Sequence, residues 1–313
     1  MQEEAVNSSL TRKKILVTGA NGQLGKELRQ LYGSFPQFEF IFLSREDLPI
    51  HHFELVRNFF HAYHPHYCIN CAAYTAVDRA ETEKELAFQV NAEAVGVLAA
   101  VCKEQECRFL HVSTDYVFDG NANHPYQEGD PVNPQSVYGA SKLEGENQAL
   151  TLNPDSIIIR TSWVYSSFGK NFVKTMLKLM NEKNELNVVN DQQGSPTYAA
   201  DLAAVIMHIV NSGKWQAGIY HFCNEGIISW YDFAVAIKDM SGSSCSVHPI
   251  PSHQYPTPAR RPGWSVLNTR KIQQQYQVQM KHWKISLAEC LQKLGAIASA
   301  WPIIFAWCDL FFT

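Results

Sequence analysis

The sequence has little net charge and no basic block. Its 313 residues include 26 Lys and Arg against 30 Asp and Glu, which gives a formal net charge of −4 at pH 7. This balance argues against a general nucleic-acid binder, because such proteins need a concentrated positive surface. The contents of 46% hydrophobic and 18% charged residues are ordinary for a globular protein, and they exclude a disordered or collagen-like chain.

An export signal and a long apolar run are also missing. Residues 1–14 are polar and contain no apolar core of the kind that a secretory signal has. The most apolar run, Ile297–Phe312, is interrupted by a proline and an aspartate. It is shorter than the roughly 18–20 apolar residues of a membrane helix, which argues against a membrane protein. The alternatives for this run are a packed or disordered tail, attachment to a membrane and an exposed association surface. The sequence also leaves a homodimer open.

The eight cysteines show neither a disulfide framework nor a zinc pattern. Without an export signal, we interpret them as reduced thiols, which predicts a cytoplasmic protein. Cys68 and Cys71 form the one close pair, and no second pair follows to complete a zinc site. Residues three apart in a strand point to opposite faces. We therefore predict two separate buried thiols and no metal site.

Apolar runs typical of strands alternate with segments of helical spacing over the first half of the chain. The predicted strands are Lys14–Thr18, Phe38–Leu43, Tyr67–Ala72, Arg108–Val112 and Ser156–Arg160. The predicted helices are Gln23–Tyr32, Phe53–Tyr63, Glu83–Cys102 and Ser136–Leu150. No hairpin signal separates the strands, so the alternation predicts an α/β fold, a Rossmann-type doubly wound parallel sheet with helices on both faces.

The pattern is less regular after Arg160. The predicted helices here are Phe172–Met180, Asp201–Val210, Trp230–Asp239 and Ser286–Leu294, and the predicted short strands are Leu186–Val189 and Gly218–Phe222. A proline-rich stretch from Pro249 to Pro262 separates the last two helices. We interpret this half as a smaller lobe that is interleaved with the first half rather than as a domain joined by a linker.

A glycine-rich turn joins the first predicted strand to the first predicted helix. It contains Gly19, Gly22 and Gly25 at a spacing of three residues. Glycines allow a sharp turn and a close approach of the backbone to a pyrophosphate, and the helix N-terminus then offers free N–H donors. The motif alone would equally suit a helix-capping loop. Its place in the first strand-to-helix junction of an alternating chain favours dinucleotide binding.

The choice of cofactor is expected at the end of the second strand, roughly 20 residues beyond the glycines. A carboxylate there binds the ribose hydroxyl of NAD, whereas an arginine favours the 2′-phosphate of NADP. Ser44 and Arg45 come first at this point, and a hydroxyl with a guanidinium suits a phosphate. This predicts NADPH. The alternative is that Arg45 is a solvated surface charge and that NADH also serves.

Tyr138 and Lys142 lie four residues apart and therefore on one face of a predicted helix. A lysine charge beside a phenol lowers the pKa of the phenol, and such a tyrosine can protonate a carbonyl oxygen while hydride reaches the carbon. Pairs at this spacing arise easily by chance, and a surface pair is the alternative. The place of the pair in the chain favours the catalytic interpretation. Its helix follows a strand that ends near Thr114, and the hydroxyl of Thr114 could stabilise the same carbonyl oxygen.

These segments together resemble the extended short-chain dehydrogenase/reductase family. The resemblance rests on the glycine turn, the Tyr138 and Lys142 pair, and the segments 70–81, 113–120, 160–165 and 191–197. Within the family the sequence is similar to the dTDP-4-dehydrorhamnose reductases over residues 13–294. The division implied is 13–165, mainly an NAD(P)-binding Rossmann domain, 166–294, mainly an interleaved substrate-binding lobe, and 295–313, an unassigned apolar tail.

The resemblance implies a role for each matching position. Thr114, Tyr138 and Lys142 would be the catalytic residues. The cofactor would meet Gly19, Gly22, Gln23, Leu24 and Gly25 at its pyrophosphate, Asp47 and Leu48 near its adenine, and Ala73, Tyr74, Thr75, Tyr138 and Lys142 further along. The dTDP-sugar substrate would meet Thr114, Asp115, Trp163 and Arg261. Alternatives remain for the last two positions, since Trp163 could be core packing and Arg260 could replace Arg261.

The resemblance also implies the reaction. The expected reaction is reduction of the C4 ketone of dTDP-4-dehydro-L-rhamnose to dTDP-L-rhamnose with NADPH, the last step of dTDP-rhamnose synthesis for cell-wall polysaccharide. One rival is another nucleotide-sugar reductase, epimerase or dehydratase. An epimerase or dehydratase would retain its cofactor without net oxidation. The other rival is a regulatory subunit on the same fold, which has no need of the proton donor that Tyr138 would supply.

The sequence departs from the family's usual pattern at three places. Pro49 stands where the family usually has an aspartate, and Ser166 and Ser167 stand where glycine is common. The apolar tail has no counterpart that we identify. The first departure removes an acidic residue from the loop after the second strand.

Overall fold

A parallel sheet forms the centre of the computed structural model, which describes residues 12–298. The strands are β1 (Lys13–Thr18), β2 (Phe38–Leu43), β3 (Tyr67–Asn70), β4 (Arg108–Thr114), β5 (Ile157–Thr161), β6 (Val164–Tyr165), β7 (Glu185–Val189), β8 (Gln193–Gly194), β9 (Thr197–Tyr198), β10 (Gly218–His221), β11 (Ile228–Ser229) and β12 (Ser246–Ile250). Six of them form the central sheet in the order β10-β5-β4-β3-β1-β2, and all its pairs are parallel.

Helices cover both faces of this sheet. They are α1 (Gln23–Leu31), α2 (Phe53–Tyr63), α3 (Val77–Ala80), α4 (Lys84–Phe88), α5 (Ala94–Glu104), α6 (Val137–Leu152), α7 (Phe172–Glu182), α8 (Ala199–Asn211), α9 (Trp230–Ser241), α10 (Arg270–Tyr276) and α11 (Trp283–Lys293). Side chains of α1, α8 and α10 pack on one face, and those of α2, α5 and α6 pack on the other. The predicted Rossmann-type α/β fold is confirmed.

Alternating strand residues supply the two apolar layers. In β1, Ile15 faces the α1 and α8 layer, whereas Leu16 faces the α2 and α5 layer. This is the period of two that a strand buried on both faces requires. Cys68 lies in the second layer and Cys71 packs against the first. The prediction of two separate thiols on opposite faces is confirmed, but Cys71 is only partly buried.

The long apolar helix that the sequence predicts is present, but its middle is π-helical. A π-helical segment, Gln89–Glu93, lies between α4 and α5, so the helix runs continuously with one wider turn. The stretch Lys84–Glu104 has the length and composition to cross a membrane. However, 56% of the 18 residues that form its most apolar part are buried inside the protein. It packs against α6, where the carbonyl of Asn91 leaves no room for a side chain at Gly145. Its apolar character therefore reflects the protein core.

The second half of the chain contributes to the central sheet and also builds a core of its own. β10 pairs with β5, and α8 covers one sheet face. A separate apolar cluster joins α7, α9 and α11 around Phe233 and Trp283. The two-residue strands β6, β8, β9 and β11 were not predicted, and two longer elements were missed as well. The strand β12 pairs in parallel with β7 through a stretch that contains Pro249, and α10 follows the proline-rich segment, where helix-breaking residues hid both elements.

The ends of the chain lie largely outside the description. Residues 1–11 and 299–313 are outside the described residues, and so is most of the apolar run Ile297–Phe312. The start of the predicted tail packs onto the second core. Ala296 and Ile297 contact the α9 and α11 cluster, and the N–H of Ala298 donates to the carbonyl of Met240 at 2.8 Å.

Candidate active site

The glycine turn lies where β1 ends and α1 begins. Gly19 adopts a left-handed φ of 66°, and a methyl group there would lie 2.6 Å from the backbone nitrogen of Ala72. A methyl group at Gly25 would lie 2.5 Å from the carbonyl oxygen of Gly19. Only glycine allows these approaches. Among residues 12–298 no side chain caps α1 at Gly22, so its first N–H groups suit an anion such as a pyrophosphate.

Gln23 and Leu24 have different surroundings in this turn. Gln23 Oε1 accepts a hydrogen bond of 2.9 Å from Asn171, which precedes α7. Leu24 is buried in the core beside the sheet, so only its backbone can meet a cofactor. The serine that replaces the family's glycine has a visible role, because Ser166 donates a 2.6 Å hydrogen bond to the buried carboxylate of Glu27 in α1.

The turn after β2 contains the residues predicted to choose the cofactor. The N–H of Ser44 donates to Asp47 Oδ2 at 2.8 Å. The hydrogen bonds from the backbone and the side chain of Ser44 hold the pKa of Asp47 below its usual value. Asp47 therefore shapes the turn, and Leu48 is buried. Arg45 is exposed. A second cation, Arg29, has no signal in the sequence, and its guanidinium lies 4.4 Å from the ring centre of Phe42.

Ala73, Tyr74 and Thr75 follow β3 at the same edge of the sheet. Asn91 in the π-helical segment holds the backbone of Tyr74 at both its N–H, at 2.8 Å, and its carbonyl, at 3.1 Å. The Tyr74 hydroxyl donates to Glu83 at 2.5 Å, which raises the pKa of the phenol. A π-helical turn is a frequent feature of functional sites, and here it positions this loop.

Tyr138 reaches Thr114 because α6 begins very close to the end of β4. Ser136 caps the helix by accepting from the N–H of Gly139 at 3.1 Å. A methyl group at Gly139 would lie 2.2 Å from the carbonyl oxygen of Tyr116. Burial raises the pKa of Tyr138, and the neighbouring Thr114 side chain opposes this rise. Two of the predicted catalytic side chains therefore lie together, as the sequence suggests.

The prediction that Lys142 lowers the pKa of Tyr138 is wrong for this structure. The Nζ atom of Lys142 donates to the carbonyl of Val112 at 2.7 Å and lies 3.1 Å from His111 Nε2. The side chain is 1% exposed, and burial lowers the pKa of Lys142 to about 8. Since the lysine is engaged in this way, burial dominates at Tyr138, and its pKa is raised instead of lowered.

Asp115 is a buried acceptor beside Thr114. It is 3% exposed, and its Oδ1 accepts from the Thr114 hydroxyl at 2.9 Å. Its Oδ2 has no hydrogen-bond partner among the described residues. Burial raises the pKa of Asp115 to about 7. A buried acceptor of this kind suits a ligand hydroxyl, because an unpaired polar group is costly without a partner.

Trp163 follows β5 with an unusual backbone conformation. Its φ is 47°, and its indole stacks on Trp230 with ring centres 3.7 Å apart. A methyl group at Gly194 would lie 2.6 Å from the indole. The ring is half-buried, so packing fixes its position while part of it stays accessible. Strained backbone of this kind clusters at functional sites.

The side chain of Tyr116 lies between Arg261 and Tyr138 and contacts both. Arg261 pairs with Asp78 at 2.8 Å and contacts the Tyr116 hydroxyl at 3.2 Å, while the Tyr116 ring packs edge-on against Tyr138 with centres 5.5 Å apart. Arg260 instead contacts Gln135. A small pocket is lined by both arginines and by Tyr116, Phe118, Asp119, Asn121, Gln135, Ser136, Pro262 and Gly263.

Several residues of this site were not singled out from the sequence, Arg29 and Asn91 among them. Asp78 and Tyr116 lie inside segments that carry the family resemblance, and that position was their signal. His111 lies in the middle of β4 and gives no signal beyond its polarity in an apolar strand. No cluster of three His, Cys, Asp or Glu side chains within residues 12–298 could hold a metal ion.

Comparisons with known proteins agree on one family. The family model described as the RmlD substrate binding domain matches residues 13–296. A dTDP-4-dehydrorhamnose reductase of Aggregatibacter actinomycetemcomitans is 43% identical, and the match covers 88% of this chain and 97% of that protein. A crystal structure of a dTDP-4-dehydrorhamnose reductase from Clostridium acetobutylicum is 44% identical with a TM-score of 0.86 over 90% of this chain and 99% of that one.

A third relative carries a nucleotide. The crystal structure of a dTDP-4-dehydrorhamnose reductase from Bacillus anthracis, in complex with NADP, is 35% identical with a TM-score of 0.87. The match covers 90% of this chain and 99% of that chain. Sequence and fold are therefore similar along almost the whole described length.

Proposed function

Since this chain belongs to the RmlD substrate binding domain family, we propose that it reduces the C4 ketone of dTDP-4-dehydro-L-rhamnose to dTDP-L-rhamnose with NADPH. The observation that carries this proposal is that Thr114 at the end of β4 and Tyr138 at the start of α6 lie together at the carboxyl edge of the sheet, with Lys142 one helical turn further along α6. Ligands of open α/β sheets bind at this edge. The product is the sugar nucleotide itself, which makes this the last step of its synthesis.

NADPH would supply the hydride, as nicotinamide cofactors do. The uncapped N-terminus of α1 at Gly22 would hold its pyrophosphate. Ser44 and Arg45 follow β2 and would hold the 2′-phosphate. Lys142 would hold the hydroxyls of the nicotinamide ribose. The exposed guanidinium of Arg29 adds a second positive charge at the phosphate end.

Tyr138 would act as the acid. Its raised pKa keeps the phenol protonated at neutral pH, which a proton donor requires. The proton passes from its Oη to the former carbonyl oxygen, and the Thr114 hydroxyl stabilises the negative charge that develops there. The phenolate that remains lies against the Thr114 hydroxyl and regains its proton from solvent.

The sugar nucleotide would bind between the two halves of the chain. Asp115 offers its free carboxylate oxygen to a sugar hydroxyl, and the half-buried face of Trp163 suits the deoxysugar ring. Arg261, with Arg260 as its neighbour in the pocket, suits the diphosphate. We propose that the second core, around α7, α9 and α11, is the substrate lobe within residues 166–294.

We place the enzyme in the cytoplasm. All seven cysteines within the described residues are free thiols, as in proteins of a reducing compartment. Its partner is the dTDP-sugar substrate. Association into a homodimer stays a prediction.

The direct test is NADPH oxidation followed at 340 nm with the ketosugar as substrate. We expect Tyr138→Phe to lose a factor on the order of 10²–10⁴ in kcat, because the proton donor is removed. Tyr32→Phe is the matched control, since Tyr32 is 58% exposed on the far end of α1, and it should match the wild type. Undiminished turnover in Tyr138→Phe would contradict the assignment. An epimerase or dehydratase would show no net NADPH oxidation.

A further inference from the structure

A chain of buried polar side chains leads to Lys142 from inside the sheet. Thr18 donates to Asn70 Oδ1 at 2.6 Å, and Asn70 Nδ2 lies 3.0 Å from His111 Nδ1. His111 Nε2 lies 3.1 Å from Lys142 Nζ. Thr18, Asn70, His111 and Lys142 are each 1% exposed or less. Such a buried network fixes the position of every member.

The orientation of Asn70 determines which nitrogen of His111 carries the proton. The backbone N–H of Ala72 can only donate, and it points to Asn70 Oδ1 at 3.1 Å. The amide nitrogen Nδ2 therefore faces His111 and donates to Nδ1. Burial lowers the pKa of His111 well below its usual value, so the ring is neutral. A neutral imidazole that accepts at Nδ1 carries its proton on Nε2.

This tautomer places a donor in front of Lys142. An ammonium group has three donors and no acceptor, so it cannot bond to the Nε2–H of His111. A neutral amine has a lone pair that accepts from Nε2–H while one of its protons goes to the carbonyl of Val112. The contact at 3.1 Å is therefore a hydrogen bond only when Lys142 has lost its proton.

We propose that His111 is a positioning residue that holds Lys142 as a neutral amine against β4, and that proton uptake from solvent releases the lysine toward Tyr138. The proposal rests on the proposed role of Lys142 in catalysis. The ammonium form loses its partner at His111 and is then free to serve the cofactor ribose and the phenol. The inward contact is thus the position of the neutral amine, which predominates only above the pKa of Lys142.

The other titratable groups that face Lys142 do not favour its neutral amine form. Glu146 lies one turn further along α6 and favours the ammonium form, but its carboxylate is bonded to Arg160 of β5 at 2.7 Å and to Ser113 of β4 at 2.5 Å. Cys71 beyond β3 stays a neutral thiol, because burial raises its pKa. Tyr138 on α6 is protonated for the same reason. His111 is the neighbour that favours the amine.

The proposal has a consequence for pH dependence. Burial lowers the pKa of Lys142 to about 8, and the ammonium form exists below that value. Activity should therefore fall as the pH rises through this region. In His111→Gln the side-chain oxygen can accept from the ammonium group, so the pKa of Lys142 should rise, by on the order of one unit. The alkaline limb of kcat/KM should move to higher pH by the same amount.

Two measurements test this on the whole protein. In the wild type with ¹⁵N-labelled histidine, NMR should show that His111 is neutral and carries its proton on Nε2, both above and below pH 8. The His111 signal is assigned by its loss in His111→Gln. In protein labelled with ¹³C at the lysine Cε atoms, Lys142 should titrate near pH 8 in the wild type and higher in His111→Gln. His221→Gln is the matched control, because His221 is a buried strand histidine bonded to Tyr126. It should leave the lysine titration unchanged.

The outcomes separate this proposal from the proposed function. A proton on Nδ1 of His111 in the wild type would overturn the proposal even if His111→Gln fails to fold. An unmoved Lys142 titration in His111→Gln would overturn it as well. An inactive wild type that nevertheless shows both NMR results would contradict the reductase assignment and leave the histidine contact established.

Discussion

Asp115 is a carboxylate that folding buries with one oxygen unpaired among residues 12–298. Burial raises its pKa from the usual value near 3.8 to about 7. Between these two values the folded protein holds a proton that the unfolded chain has released. The free energy of unfolding therefore falls as the pH rises through this window. The buried carboxylate thus lowers the stability of the folded protein above neutral pH. Such a loss of stability is typical of residues that serve to bind a ligand, because stability and function compete at these positions.

The first prediction at the residue scale concerns the variant Asp115→Asn. An amide of the same shape has no charge to bury, so the variant should be more stable than the wild type at pH 8, by up to about 4 kcal/mol, with little difference near pH 4. Urea unfolding at both pH values measures this, and KM for the ketosugar should rise.

Asp119→Asn is the control for this prediction. Asp119 accepts from the Tyr126 hydroxyl at 2.7 Å, which lowers the pKa of its carboxyl group. Its stabilising effect is present above the unfolded pKa, so Asp119→Asn should reduce stability at pH 8. If Asp115→Asn loses stability at pH 8 as well, the account of Asp115 is wrong.

At the scale of secondary-structure elements, the site depends on how closely α6 starts against the loop after β4. Gly139 lies directly after Tyr138, and the carbonyl of Tyr116 occupies the space that a side chain would need. We infer that this close approach positions the Tyr138 phenol relative to Thr114. A second contact of the same kind, between Gly145 and the carbonyl of Asn91, holds α6 against the π-helical segment.

The element-scale prediction is that Gly139→Ala displaces the start of α6. The added methyl group would lie 2.2 Å from a backbone oxygen, so helix and loop must move apart. Because misplacement by about 1 Å can cost a factor on the order of 10², we expect a loss of that size in kcat/KM. Steady-state kinetics measures it.

Gly129→Ala is the matched control for Gly139→Ala, since a methyl group there would meet nothing within 4 Å. Its kinetics should equal those of the wild type. Equal kinetics in Gly139→Ala would mean that α6 tolerates the shift and that its close approach does not position Tyr138.

At the scale of the whole molecule, the proposed cofactor site extends along the carboxyl edge of the sheet, from Arg45 beyond β2 to Lys142 on α6. The second half of the chain is tied to this edge, because Asn171 contacts Gln23 and Ser166 contacts Glu27. A ligand that binds along this edge therefore stabilises contacts between both halves. The effect is measurable without any catalysis.

The whole-molecule prediction is a difference in thermal stabilisation between cofactors. At a concentration of 100 times Kd, NADPH should add about 2.7 kcal/mol and raise Tm by about 5 °C or more. NADH at the same concentration should raise Tm less, because it lacks the phosphate that Arg45 would bind. In Arg45→Ala the two cofactors should become more alike. Equal shifts in the wild type would contradict the NADPH preference.

Much of the fold could be predicted because apolar periodicity reports which faces are buried. β2 and α2 occur at their predicted bounds, Phe38–Leu43 and Phe53–Tyr63. β3 ends two residues early, because the side chain of Asn70 takes the N–H of Ala72. β12 and α10 were missed, because prolines obscure a strand whose partner, β7, lies some 60 residues away. Pairing at such a distance leaves no local signal.

The sequence by itself determined the alternating α/β fold, the glycine turn and the Tyr138 and Lys142 pair, since each depends on residue type and short spacing. Only the tertiary structure decided the state of these groups. Lys142 bonds to His111 and Val112, and burial raises the pKa of Tyr138. The physical reason is that pKa values and proton positions depend on desolvation and on neighbours from other strands and helices, which come together only when the chain folds.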